Sequence, residues 1–265
     1  MISPYACLLV FHGSRDYRTQ SAAHRLKELL ATNCQFKNIL TQQNYSKKNL
    51  LAPPPEVVST LDFPQTHLVD VAALELASKP LNESLVDFAQ KAEQKGFKQI
   101  KVIPLFLVPG VHVREDIPAE IALAIKQINN RVTIKLSPCL GKFSGIVPLL
   151  TSKFLQLSAE TRILIAHGSR LSGVNHYYQN LASQLNATMA YWSVSPSLVS
   201  QIKAQIASGK KQIAILPYFL FPGKITSAIA QEVKDLQTQH PQVELILGQP
   251  LGATAALAEL IAKEA

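Results

Sequence analysis

Two histidines stand where a predicted sheet would expose them to a ligand. His12 directly follows the apolar run 7–11, and His112 lies in segment 109–118, which follows the apolar run 102–108. A short apolar run that ends in a Gly-containing turn is typical of a buried parallel strand, and open α/β sheets bind ligands at the carboxyl ends of their strands. Two neutral imidazoles that face one cavity would form an open site for Fe²⁺, Co²⁺ or Ni²⁺.

Glu75 is the third candidate, because it is an acid within the otherwise small and apolar stretch 71–78. A carboxylate buried there would need a partner or a proton, and either would make it a candidate base. The competing interpretation is a carboxylate that caps the N-terminus of the next helix. For His12, the competing interpretation is a turn histidine next to a helix. No set of residues supplies the four ligands of a structural zinc site.

Charge and cysteine usage limit the classes of partner. The net charge is +8, and it is spread along the chain without a run of five basic residues. This balance is typical of a soluble basic protein and also of a site that attracts a polyanion. No nucleic-acid motif, disulfide framework, signal peptide or membrane span is recognised, so we expect a cytoplasmic protein without nucleic-acid or membrane partners.

The chain is internally duplicated. The tetrapeptide His-Gly-Ser-Arg occurs at 12–15 and again at 167–170, and segment 97–110 matches segment 210–223. A repeat of this length predicts two related lobes. We place them at residues 1–158 and 159–265, with an inserted surface excursion near 36–65 in the first.

The second copy departs from the first at the candidate residues. His167 is retained, but Ile225 stands where the first copy has His112. No acid matches Glu75, and the nearest alignment puts Tyr191 or Thr188 there. We therefore predict that the first lobe carries the metal chemistry, while His167 is either a remnant turn residue or a substrate contact.

The periodicity of apolar residues predicts alternating strands and helices in both halves. Strands are expected near 6–11, 67–71, 99–106, 131–136, 162–166, 188–192, 212–219 and 242–247. Helices are expected near 19–32, 78–96, 114–130, 144–157, 174–185, 197–208, 225–240 and 253–263. The predicted fold class is α/β, with two tandem-duplicated lobes, parallel sheets flanked by helices, and a cleft between the lobes.

The segments around His12 (9–16), Glu75 (74–78) and His112 (104–118) resemble the sirohydrochlorin chelatases of the CbiX and SirB type, the class II chelatases. The resemblance covers the first half closely and the second half as a diverged copy. It implies a chelatase-like fold and insertion of Co²⁺ or Fe²⁺ into sirohydrochlorin without ATP, in cobalamin or siroheme biosynthesis. It also implies metal-handling histidines at His12 and His112, an acidic residue at Glu75, and a catalytic role for all three.

The implied partners are sirohydrochlorin and a divalent metal ion, which is a substrate and not a permanently bound cofactor. Because the tetrapyrrole is a polycarboxylate, basic and polar groups beside the histidines are the expected contacts. The expected substrate-binding residues are Ser14, Arg15, Arg18, Arg114 and His167. A duplicated chain could close its own cleft and act as a monomer.

Four alternatives compete with this interpretation. A non-catalytic tetrapyrrole- or metal-binding protein could keep the fold, and a chelatase could act on Ni²⁺ instead. A nucleotide-dependent Rossmann enzyme is disfavoured, because no Gly-x-Gly-x-x-Gly or Walker A loop follows a strand. A histidine phosphatase is disfavoured as well, because Phe11 and not an arginine precedes His12.

Overall fold

The computed structural model describes residues 5–46, 67–128, 131–170 and 173–264. Strands and helices alternate throughout these residues. The strands are β1 Ala6–Phe11, β2 Leu68–Ala73, β3 Gln99–Pro104, β4 Thr133–Leu136, β5 Thr161–Ala166, β6 Thr188–Tyr191, β7 Gln212–Pro217 and β8 Glu244–Leu247. The α-helices are α1 Tyr17–Ser46, α2 Leu81–Gln94, α3 Ile117–Gln127, α4 Ile146–Leu155, α5 Val174–Gln184, α6 Leu198–Ala207, α7 Lys224–Gln239 and α8 Ala255–Glu264.

The strands form two parallel four-stranded sheets with the same topology. The order is β2-β1-β3-β4 in the first sheet and β6-β5-β7-β8 in the second. Every neighbouring pair is parallel, so the carboxyl ends of all strands in a sheet lie at one edge. This repeated order confirms the predicted α/β fold of two duplicated lobes.

The central strands are buried on both faces, as expected of a parallel sheet between helices. In β1, alternate residues such as Leu9 and Val10 are fully buried but belong to different cores. Leu9 points into a large core shared by both lobes, to which α1, α4, α5 and α8 contribute. Val10 points into a core with α2 and α3, and the second sheet has a matching outer core with α6 and α7.

The shared core joins the lobes into one body, and the last helix of each half packs on the other half. Helix α8 lies against α1, and α4 contacts β7. Two tyrosines of the second lobe also donate hydrogen bonds to first-lobe carbonyls, Tyr218 to Leu107 at 3.2 Å and Tyr177 to Gly141. Burial raises the pKa of Tyr218 well above its ordinary value, so this hydroxyl remains a neutral donor.

Two helices differ from the sequence prediction. Helix α1 continues to Ser46, where the prediction ended it at residue 32 and began an excursion at 36; residues 47–66 of that excursion lie outside the described residues. Regular α-helix begins only at Ile117 in α3, because His112–Asp116 forms a π-helical turn that the prediction had partly included in the helix. Such turns insert one residue into the helical repeat and occur often at functional sites.

Within the described part of the chain, no helix combines the length and apolar character needed to cross a bilayer.

Candidate functional site

The site lies at the carboxyl edge of the first sheet, and Gly13 makes its geometry possible. The backbone N–H of Glu75 donates to the carbonyl of His12 at 3.0 Å, which extends the pairing of β1 and β2 beyond both strands. Gly13 follows with φ +97°, and a Cβ on it would lie 1.9 Å from the carbonyl oxygen of Glu75. Only glycine permits this close approach, which places His12 and Glu75 side by side.

His12, Glu75 and His112 converge, as expected from strands that end at one edge. One ligand atom from each of the three side chains lies within 4.8 Å of the other two. The imidazole rings meet edge to face, with centroids 4.7 Å apart, and each Nδ1 is 4.0 Å from a carboxylate oxygen of Glu75. The ring of Phe106 lies beside both histidines.

Glu75 is not buried, and this corrects the environment expected from its apolar neighbours. Its side chain is 50% exposed, and those of His12 and His112 are 53% and 34% exposed. Glu75 belongs to the loop after β2, several residues before α2 begins at Leu81, so it does not cap that helix. All three groups are accessible to a ligand that approaches this edge.

His112 has a further partner that sequence reasoning missed. Its Nδ1 lies 2.6 Å from Oδ2 of Asp116, four residues later on the π-helical turn. A carboxylate on one imidazole nitrogen fixes the ring orientation and leaves the other nitrogen for a ligand. Asp116 was not among the candidate residues from the sequence. Its spacing from His112 was the available signal, although the π turn was not predicted.

This donor set suits transient binding of a divalent ion. Two imidazoles and one carboxylate are ligands that Fe²⁺ and Co²⁺ accept, and three protein ligands leave coordination positions open. A carboxylate beside them can also accept a proton. The arrangement can therefore bring a metal ion to an exposed edge and assist proton removal from the acceptor.

The second sheet has the same backbone arrangement without these side chains. The N–H of Ser193 donates to the carbonyl of His167 at 2.9 Å, as Glu75 does to His12. Ser193 is therefore the structural counterpart of Glu75, and the alignment to Tyr191 or Thr188 was wrong. Ile225, the second residue of α7, takes the place of His112. Among the described residues, no second cluster of potential metal ligands occurs.

The expected substrate contacts have different surroundings. Ser14 and Arg15 line a cavity between the lobes. Arg18 donates to both carboxylate oxygens of Asp16 and to Ser227 Oγ at 3.0 Å, so its guanidinium already has partners. Arg114 and His167 are exposed. His167 makes a 3.0 Å contact with the carbonyl of Gly168 through Nδ1.

Comparison with known families identifies the chain's relatives. The model of the CbiX family matches residues 57–157 and again 161–265, which together make up most of the chain. The chain belongs to the CbiX family. The first match contains β2, β3 and β4 with Glu75 and His112 but not β1 or His12, and the second contains all four strands of the second sheet with His167.

Curated CbiX relatives are similar over about three quarters of the chain. A sirohydrochlorin ferrochelatase of Priestia megaterium is 25% identical over 217 residues, which cover 77% of this chain and 78% of the relative. A sirohydrochlorin cobaltochelatase of the same organism is 24% identical over 215 residues, covering 74% and 69%. The relatives thus include enzymes named for iron and for cobalt.

Solved structures confirm the fold. SirB from Bacillus subtilis with Fe³⁺ superposes with a TM-score of 0.69 at 19% identity, over 98% of this chain and 94% of that one. SirB from Bacillus subtilis subspecies spizizenii in complex with cobalt gives a TM-score of 0.62 at 20% identity, over 98% and 93%. The two-lobe α/β architecture is therefore shared along the whole chain.

Proposed function

We propose that this chain is a sirohydrochlorin chelatase that inserts Fe²⁺ or Co²⁺ into sirohydrochlorin without nucleotide hydrolysis. The observation that carries the proposal is the convergence of His12, Glu75 and His112 at an exposed sheet edge, in a member of the CbiX family. Relatives named as ferrochelatase and cobaltochelatase support this reaction class.

In the proposed reaction the metal ion enters the macrocycle and two pyrrole N–H protons leave, so the site must present the ion and accept protons. The imidazoles of His12 and His112 present the ion from one face. Glu75, 4.0 Å from each imidazole, is the proposed proton acceptor. Asp116 holds His112 through its Nδ1 and leaves the other ring nitrogen available for the ion.

The proposed division of labour assigns residues 1–158 to the metal site and residues 159–265 to closing the cleft. Ser14, Arg15, Arg114 and His167 remain the proposed substrate contacts. Arg18 is better placed to join the lobes, because Asp16 and Ser227 already occupy its guanidinium. One chain carries both lobes, so we propose that a monomer suffices.

Anaerobic metallation tests the proposal. Purified protein is mixed with sirohydrochlorin and Co²⁺, Fe²⁺ or Ni²⁺, and the absorbance change on insertion is compared with the uncatalysed rate. We expect acceleration with Co²⁺ or Fe²⁺ that is lost in a His12→Ala variant. Binding of sirohydrochlorin without any acceleration, for all three metals, would instead support a non-catalytic carrier.

A further inference from the structure

A cavity of about 310 Å³ lies between the two lobes. Its first-lobe lining begins at Ser14, two residues beyond His12, and continues into the first turn of α1. The second lobe supplies the loop after β7 and the first turn of α7. The lining residues are Ser14, Arg15, Asp16, Thr19, Phe219, Phe221, Gly223, Lys224, Ile225 and Thr226.

The second-lobe side of this cavity is the degenerate copy of the metal-site loop. Gly110-Val111-His112 in the first copy corresponds to Gly223-Lys224-Ile225 in the second. The second copy has therefore replaced an imidazole by an apolar side chain and, one residue earlier, valine by lysine. This exchange removes a metal ligand and adds a positive charge at the wall of the cleft.

The charges that face the cavity leave a positive excess. Asp16 is the acidic group in the lining, and Arg18 neutralises it through bonds to both carboxylate oxygens, the shortest 2.7 Å. The hydrogen bond from Arg18 lowers the pKa of Asp16, and the charge of Lys224 adds to this effect. Arg15 and Lys224 make no ion pair with any residue that the structure describes.

A contact between the lobes fixes the position of the first-lobe wall of the cavity relative to the second-lobe wall. Arg18 uses one guanidinium nitrogen for Ser227 Oγ, 3.0 Å away on the first turn of α7, while its other nitrogens hold Asp16. This bridge sets the separation between the loop that carries Arg15 and the first turn of α7, which carries Lys224. The N-terminus of α7 adds partial positive charge to the same wall through the helix dipole.

We propose that Arg15 and Lys224 form an interlobe subsite that binds one carboxylate side chain of the macrocyclic substrate. This inference rests on the proposed chelatase function and adds a positioning role for the second lobe. An arginine offers a two-pronged hydrogen-bond donor and a lysine a point charge, and the pair can hold one carboxylate from both walls of the cleft. The second lobe would then align the macrocycle over the imidazoles of the first lobe.

The test measures binding of metal-free sirohydrochlorin by fluorescence quenching, with the full-length protein. Lys224→Gln removes the charge, and Lys234→Gln, an exposed lysine on the same helix α7, is the matched control. We expect about tenfold weaker binding for Lys224→Gln, because one charge-assisted hydrogen bond is lost. Lys234→Gln should bind like the wild type. Co²⁺ binding to the histidine cluster, measured without tetrapyrrole, should be unchanged in both variants.

A double variant tests whether both cations hold one carboxylate. If they do, Arg15→Gln combined with Lys224→Gln should weaken binding by less than the product of the two single effects. Wild-type affinity in Lys224→Gln, or fully multiplicative losses in the double variant, would overturn the shared subsite while leaving the chelatase proposal intact. If the wild-type protein neither binds nor metallates sirohydrochlorin, the proposed function fails together with the subsite.

Discussion

The carboxyl edges of the two sheets differ in side chains far more than in backbone. At the first edge, β1 and the segments that follow β2 and β3 bring together His12, Glu75 and His112. At the second edge, the same pairing of loop backbones brings Ser193 beside His167, and the third position is Ile225. The strand order is the same, so the different side chains at the second edge have left the topology unchanged. A few edge residues of this fold can therefore change without any change in the sheet that carries them.

The helical segments after β3 and β7 also differ at one further position, where the first lobe has a polar side chain and the second an apolar one. Asp116 lies on a π-helical turn and contacts His112, whereas its counterpart Ile229 is fully buried in regular α-helix. The segment before α3 places the Asp116 carboxylate beside an imidazole and has an irregular turn. In α7 the same position is an apolar residue that packs in the core, and the helix is regular. The irregular turn and the imidazole of His112 therefore occur together in the first lobe.

The largest effect is expected from the imidazoles of the first lobe. His12→Ala or His112→Ala removes a proposed ligand from an exposed edge, so metallation should slow by about a hundredfold or more while the fold remains stable. The measurements are the initial rate of metal insertion and tetrapyrrole affinity, with circular dichroism as the folding control. An insertion rate close to wild type in either variant would contradict the proposal that the first lobe carries the metal site.

Gly13→Ala should be the most damaging change that leaves every ligand in place. The new Cβ would lie 1.9 Å from the carbonyl oxygen of Glu75 at a positive φ, so we expect about 2–4 kcal/mol of lost stability and impaired Co²⁺ binding. Gly110→Ala is the control, because nothing lies within 4 Å of its Cβ position. Denaturant unfolding and Co²⁺ titration measure the two effects. Gly168→Ala in the second lobe should leave Co²⁺ binding intact, and equal losses of binding for Gly13→Ala and Gly168→Ala would contradict the single-site assignment.

Asp116→Asn should lower Co²⁺ affinity without abolishing Co²⁺ binding. The amide keeps the size of the carboxylate but loses its charge, so we expect about tenfold lower Co²⁺ affinity and insertion rate. Glu115→Gln, an exposed acid on the same turn, is the matched control and should change neither. The visible absorption spectrum of bound Co²⁺ reports the ligand geometry directly. An unchanged spectrum and affinity would show that Asp116 serves only the helix.

His167→Ala should give the smallest effect. Among the described residues its ring contacts local backbone and Ser193, and no second group of potential metal ligands occurs there. We expect an insertion rate within about threefold of wild type and, at most, somewhat weaker tetrapyrrole binding. The comparison with His12→Ala, under identical conditions, decides the assignment: equal rate losses would mean that both lobes supply chemistry.

Amino-acid patterns alone predicted the duplication, the parallel sheets and the meeting of His12 with His112. These conclusions depend on local properties, namely apolar runs that define strands and turn residues that end them. Parallel pairing then places all strand ends at one edge, whatever the details of packing. The substitution of Ile225 for an imidazole was likewise readable from the aligned repeats.

Contacts between residues distant in the chain were decided only by the tertiary structure. Ser193 is the counterpart of Glu75 because backbone pairing beyond the strands sets their register, and sequence similarity there is too low to show it. Arg18 reaches Ser227 because the shared core brings α1 and α7 to the same cleft, and α8 and α4 pack on the opposite lobes for the same reason. The exposure of Glu75 follows from the loop conformation after β2, which apolar composition does not determine. Helical or strand periodicity specifies which face of an element is buried, but the identity of the element that covers it depends on the packing of the whole chain.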